Sequence, residues 1–186
     1  LRQKGKKELT KPFFADITVA DNGILTVVDK NTGLLYQYDQ DGNLLAAFGG
    51  IGSYAGTYSV PVSLDVDDEG FLYVLDYSSG TVTILKPTEF ITLVHQAVTL
   101  YDAGKYAESK EYWQKVAEID SNYALAHQGL GKALFKEEKY KESLDQYKLG
   151  DDREGYSQAY SEYRHELFRK NFIWVVIAAF AVVIGL

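Results

Sequence analysis

Apolar and polar positions along this chain follow two periods, one after the other. Residues 17–20, 23–29, 34–39 and 44–49 are short strand-like runs in which apolar side chains alternate with others. Turn-forming sets separate them: Asp21, Asn22 and Gly23; then Lys30 to Gly33; then Asp39 to Asn43. Short strands joined by tight Gly/Asn/Asp turns predict an antiparallel meander. From about residue 89 the pattern shifts to helical spacing, and the chain closes on an uncharged run, 172–186.

The first pattern recurs. Gly23, Val27, Asp29 and Gly33 correspond to Gly70, Val74, Asp76 and Gly80, each 47 residues on. A four-stranded unit repeated every 40–50 residues or so predicts β-propeller blades. Pro61, the alternating apolars after it, Glu69-Gly70, then Tyr73, Val74 and Asp76 resemble the core of an NHL repeat. Residues 12–49 resemble it more loosely, with Leu25 to Asp29 in place of the Tyr-Val-x-Asp stretch. The second unit lacks a clear fourth strand, because Lys86-Pro87-Thr88 leads into helix. Residues 1–88 are therefore expected to be the last two blades of a longer propeller.

The second pattern repeats every 34 residues, pairing Gly104 with Glu138, Tyr106 with Tyr140, Ser109 with Ser143 and Trp113 with Tyr147. This resembles the tetratricopeptide repeat, in which small residues (here Ala97 and Gly131) let paired helices approach and bulky ones (Trp113, Tyr147) fill the space between. It departs from that pattern at three places: Ser stands for the usual Ala, His127 holds a frequent Trp position and Ser121 replaces Pro. Residues 89–157 are expected to form two such repeats, and 158–171 a capping, juxtamembrane helix. Residues 172–186 read as the start of a transmembrane helix cut short, since a span needs about 20 apolar residues. A buried C-terminal helix of a soluble protein and an expression or gene-calling artefact are the two competing readings. The expected fold class is thus multi-domain β + α: a partial NHL-type propeller, tetratricopeptide hairpins, and a truncated membrane span.

Charge changes the picture of partners. The chain carries a net −7, with a basic start (Arg2, Lys4, Lys6, Lys7) and an acidic stretch of −8 over residues 12–88. Nucleic acid needs a basic face to displace phosphate counterions, so it is not an expected partner. With no Cys there is no disulfide or thiolate chemistry.

Candidate chemistry is sparse. His95, His127 and His165 all fall in the helical half, away from any propeller channel. Asp29 and Asp76 recur at strand ends, where bonding turn backbone explains them better than catalysis. Asp39 to Asn43 imitates the start of a calcium loop, but its twelfth position is Gly50 rather than a bidentate acid. No phosphate loop, nucleophile elbow or His-Glu-x-x-His is present, so no catalytic, metal or cofactor site is assigned. What remains is binding surface. The tetratricopeptide resemblance implies a groove lined by the first helix of each pair, which places Val94, Val98, Tyr101, Gln128, Lys132 and Phe135 there. Two alternatives stand beside it: the valines covered by the preceding region, and Phe135 as core. A Lys/Asn carboxylate clamp is missing, because Val94 and Val98 occupy two of its positions.

The whole order resembles membrane proteins of Gram-positive bacteria in which a propeller and repeat region precedes a Yip-type membrane domain, often beside sugar-import systems. It implies a membrane-tethered scaffold that binds a protein or peptide partner, with transporter association. The alternative is a lactonase- or lyase-like propeller enzyme with its site in upstream blades. On the side of the membrane two arguments conflict. Arg164, Arg169 and Lys170 beside the run favour the cytoplasm, whereas the resembling family's secretory signal favours the extracytoplasmic face, which is the expectation adopted.

Overall fold

The structure, a computed structural model, describes residues 11–184. The cluster Arg2, Lys4, Lys6 and Lys7 and the last two residues of the apolar run lie outside them. The chain divides into two compact units, Leu1–His95 and Gln96–Leu186.

The first unit holds two antiparallel sheets. β1 (Phe14–Val19), β2 (Leu25–Asp29), β3 (Leu34–Tyr38) and β4 (Leu44–Gly49) pair in sequence order, as do β5 (Pro61–Val66), β6 (Leu72–Asp76) and β7 (Thr81–Leu85). The 47-residue correspondence is geometric as well as textual. Phe14 pairs with Asp29 and Val19 with Leu25 in the first sheet; Pro61 pairs with Asp76 and Val66 with Leu72 in the second. Even the bulge repeats, between Phe14 and Asp16 and again between Pro61 and Ser63. The turns explain the glycines: Gly23 and Gly70 both sit at φ +82°, where a side chain on Cβ is strained. Val28 and Leu35 of the first sheet form one apolar core with Leu64, Leu72 and Val74 of the second.

Asp29 and Asp76 close the repeats. Asp29 accepts hydrogen bonds from the Phe13 and Asn31 N–H groups and the Thr32 hydroxyl at 2.7–2.9 Å. Asp76 accepts from the Ser59, Val60, Ser78 and Ser79 N–H groups. Burial opposes ionisation of both carboxyls, but these donors outweigh it and hold both below the usual carboxylate range.

The helices are α1 (Glu89–Asp102), α2 (Tyr106–Ile119), α3 (Ala124–Lys136), α4 (Tyr140–Leu149) and α5 (Arg153–Ile184). Gly104 (φ 76°) and Glu138 (φ 61°) turn the chain between α1 and α2 and between α3 and α4.

These elements correct the expected fold class. Among the described residues the strands make one four-stranded and one three-stranded sheet, not a propeller, and alternation with tight turns specifies meanders that many architectures share. The 34-residue period likewise specifies helical hairpins and not a family. The membrane span is corrected too: among the described residues no helix is long and apolar enough to cross a membrane. α5 begins in charged sequence at Arg153 and Glu154. Placement at a cell membrane, and at its extracytoplasmic face, loses its ground with that helix. Two of the flanking cations make local contacts. Lys170 pairs with Glu166, and the Arg164 guanidinium lies 5.6 Å from the Tyr160 ring centroid.

Candidate interaction surface

The second unit repeats its packing at 34 residues. The Ser109 hydroxyl donates to the Ala97 carbonyl at 2.7 Å, and the Ser143 hydroxyl to the Gly131 carbonyl at 2.8 Å. All of these residues are buried, so each hydroxyl ties one helix of a pair to the other where water cannot compete. Aromatic contacts repeat as well: Tyr101 with Tyr106 at 5.2 Å between ring centroids, and Phe135 with Tyr140 at 5.5 Å. Trp113 lies over Gly129, where an added Cβ would stand 2.3 Å from the indole. The bulky residue of α2 therefore requires a glycine on α3.

This packing sorts the six groove candidates. Val94 and Val98 are buried and offer no surface. Phe135 packs with Tyr163 against the core of Leu144, Tyr147 and Ala159, so it is largely structural. The Gln128 amide donates to the Gly150 carbonyl at 2.8 Å and so holds the turn between α4 and α5. Tyr101 and Lys132 remain, and the structure brings them together: the Lys132 ammonium is 6.0 Å from the Tyr101 ring centroid. One helical turn on, Lys136 stands 5.8 Å from the Tyr106 ring centroid.

The result is a ladder of two tyrosines capped by two lysines. Among the described residues neither ammonium lies within 4 Å of a carboxylate, unlike Lys110 and Lys139, which both bond Glu137 at 2.7 Å. A cation over an exposed ring is held by about 0.5–1 kcal/mol, enough to orient it without neutralising it. Sequence reading gave Tyr106 only as a repeat position and did not single out Lys136. The signal for Lys136 was the four-residue step from Lys132, and that for Tyr106 its place just after the turn that follows Tyr101.

The chain matches no protein-family model and no curated protein. The NHL, tetratricopeptide and Yip-type resemblances therefore rest on sequence motifs alone.

A second feature lies wholly in the first unit. A pocket of about 300 Å³ is lined mainly by Phe48, Leu72, Leu85, Pro87, Phe90 and Ile91, with Gln37 and His95. The Gln37 amide donates to the Thr26 hydroxyl at 3.3 Å, and its carbonyl oxygen meets His95 Nε2 at 3.2 Å. Burial pushes the His95 imidazole down to about 4, so it is neutral at pH 7. His95, first placed with the helical repeats, thus belongs by its contacts to the strand unit. Thr26 and Gln37 were legible as polar residues directly opposite one another on β2 and β3, at positions where alternation calls for core. His127 bridges the Ser121 carbonyl and the Gln146 amide, a structural link between α3 and its neighbours. Among the described residues no cluster of three His, Cys, Asp or Glu could hold a metal ion.

Proposed function

We propose that the helical unit is a protein-interaction module whose working surface is the Tyr101–Lys132–Tyr106–Lys136 ladder. The observation that carries this reading is the pair of ammonium groups on α3, without a carboxylate partner among the described residues, over the half-buried rings of Tyr101 on α1 and Tyr106 on α2. Such a surface favours an extended peptide that sets carboxylates against the lysines and lays apolar groups on the tyrosine faces. Rings immobilised by mutual contact lose little entropy on binding, which is why aromatic and cationic side chains so often anchor interfaces. The partner expected is therefore an acidic peptide segment, and the module acts as a scaffold.

A random peptide library displayed against the full chain tests this. Selected peptides should be enriched in Asp and Glu beside an aromatic or aliphatic residue. Their affinity should drop at least tenfold with Lys132→Glu plus Lys136→Glu, and should weaken as salt rises. Selection of peptides without acidic enrichment, or equal binding to the double variant, would refute the assignment.

A further inference from the structure

The first unit carries an unused copy of its own internal interface. Inside the unit, the first sheet presents Val28 and Leu35, with Phe48 beside them, to the Leu64, Val66, Leu72 and Val74 side of the second sheet. Val28 and Leu35 are fully buried there, and Leu64 is 5% exposed. The repeat maps several positions of each half of that contact onto exposed residues of an outer sheet face.

Shifted by 47 residues, Val28 becomes Leu75, Leu35 becomes Val82 and Gln37 becomes Ile84. Leu75 lies directly opposite Val82, and Tyr73 opposite Ile84, so all four share one face of the second sheet. That face is exposed: Leu75 at 41%, Val82 at 56% and Ile84 at 58%. Shifted the other way, Leu64 becomes Ile17, Val66 becomes Val19 and Val74 becomes Val27. Ile17 (53%) and Val19 (58%) are exposed on the far face of the first sheet, beside Val27, Tyr36 and the exposed Phe14. Apolar patches of this kind, on sheets whose opposite faces form a core, mark contact surfaces.

We propose that these two faces are the halves of one intermolecular interface, in which the Leu75–Val82–Ile84 face of one copy packs on the Phe14–Ile17–Val19 face of a second copy of this chain. The observation that selects this occupant is continuity with the internal interface. The positions of Val28, Leu35, Leu64 and Val66, which meet between the two sheets of one molecule, recur as the exposed Leu75, Val82, Ile17 and Val19 at its two outer faces, with Val27 buried among the last. The contact is heterologous, with different patches on the two partners, so each copy keeps one free half and association continues from copy to copy.

Because the chain has no cysteine, the geometry can be trapped. Differently tagged full-length Val82→Cys and Ile17→Cys chains are mixed and mildly oxidised. The expected product is the mixed disulfide between the two variants, in at least fivefold excess over either homodimer. Adding Leu75→Asp to the Val82→Cys chain should lower the mixed product at least fivefold while its circular dichroism is unchanged. Should that variant lose its folded spectrum, Ile84→Asp makes the same test from the outer strand. A statistical mixture of disulfides, no disulfide at all, or a yield indifferent to a folded charge variant would overturn the proposal.

Discussion

Gly129→Ala should change the sign of its effect with the residue that faces it. In the native chain a Cβ at Gly129 would lie 2.3 Å from two indole atoms of Trp113 and 2.7 Å from a third. Carbon contacts are favourable only near 3.5–4.0 Å, so the ring must move by more than about 1 Å. Trp113 is buried between helices and has no free direction. Overpacking of this kind costs about 1–3 kcal/mol. Against it stands the higher helix propensity of alanine, worth about 1 kcal/mol. The net expectation is destabilisation by up to about 2 kcal/mol. In a Trp113→Leu background the clash is gone and only the propensity remains, so the same substitution should stabilise by about 0.5–1 kcal/mol. Urea unfolding of the four proteins, followed by far-ultraviolet circular dichroism, closes the cycle with a coupling equal to the overpacking cost, about 1–3 kcal/mol. Equal destabilisation in both backgrounds would show that the indole is not what constrains Gly129, and stabilisation in the native background would contradict the packing itself.

Ser109→Ala and Ser143→Ala should each cost about 0.5–1.5 kcal/mol, and by similar amounts, since both remove the same buried hydroxyl bond; unequal losses in urea unfolding would count against the repeat. Tyr58→Phe should be neutral or stabilising by about 1 kcal/mol, because among the described residues the buried Tyr58 hydroxyl has no partner; clear destabilisation would reveal a partner. Asp29 and Asp76 are depressed in the folded state, so their stabilisation is complete above the ordinary aspartate value of about 4 and is lost as pH falls through it to their own lower values; Asp76→Asn should flatten the acid limb of a stability–pH profile. His95 works from a different window. Its folded value near 4 lies below the unfolded value of about 6.5, so protonation favours the unfolded chain and stability falls between them; an imidazole resonance titrating near 6.5 in the folded chain would refute its burial.

Element positions were legible because each has a local cause. Gly23 and Gly70 punctuate the strands through a backbone angle that only they adopt cheaply, and Ser109 and Ser143 repeat because the hairpin needs one hydroxyl at one place. Assembly was not legible, because alternation at Ile17, Val19, Val82 and Ile84 states that a face is apolar without stating what covers it. The membrane reading failed for a related reason. Absence of charge over 172–186 reads as the start of a span cut short, whereas among the described residues no helix is long and apolar enough to cross a membrane. Among the groove candidates, periodicity could not tell Tyr101 and Lys132 from Val94, which the fold buries, or from Gln128, which it uses to hold a turn.

The meander topology bears on the order in which the first unit assembles. Every strand in each sheet pairs with its neighbour in sequence, so each hairpin closes only a short loop and can form early. Joining the sheets is different. Asp16 accepts from the Ser63 hydroxyl and the Leu64 N–H, partners 47 and 48 residues away, and the shared core spans a similar distance. Closing so long a segment is the entropic barrier of the unit. The two sheets should therefore appear as separate hairpin assemblies before they dock. A chain emerging from the ribosome would then hold a formed first sheet, with Val28 and Leu35 still uncovered, until the strands after Pro61 arrive to bury them.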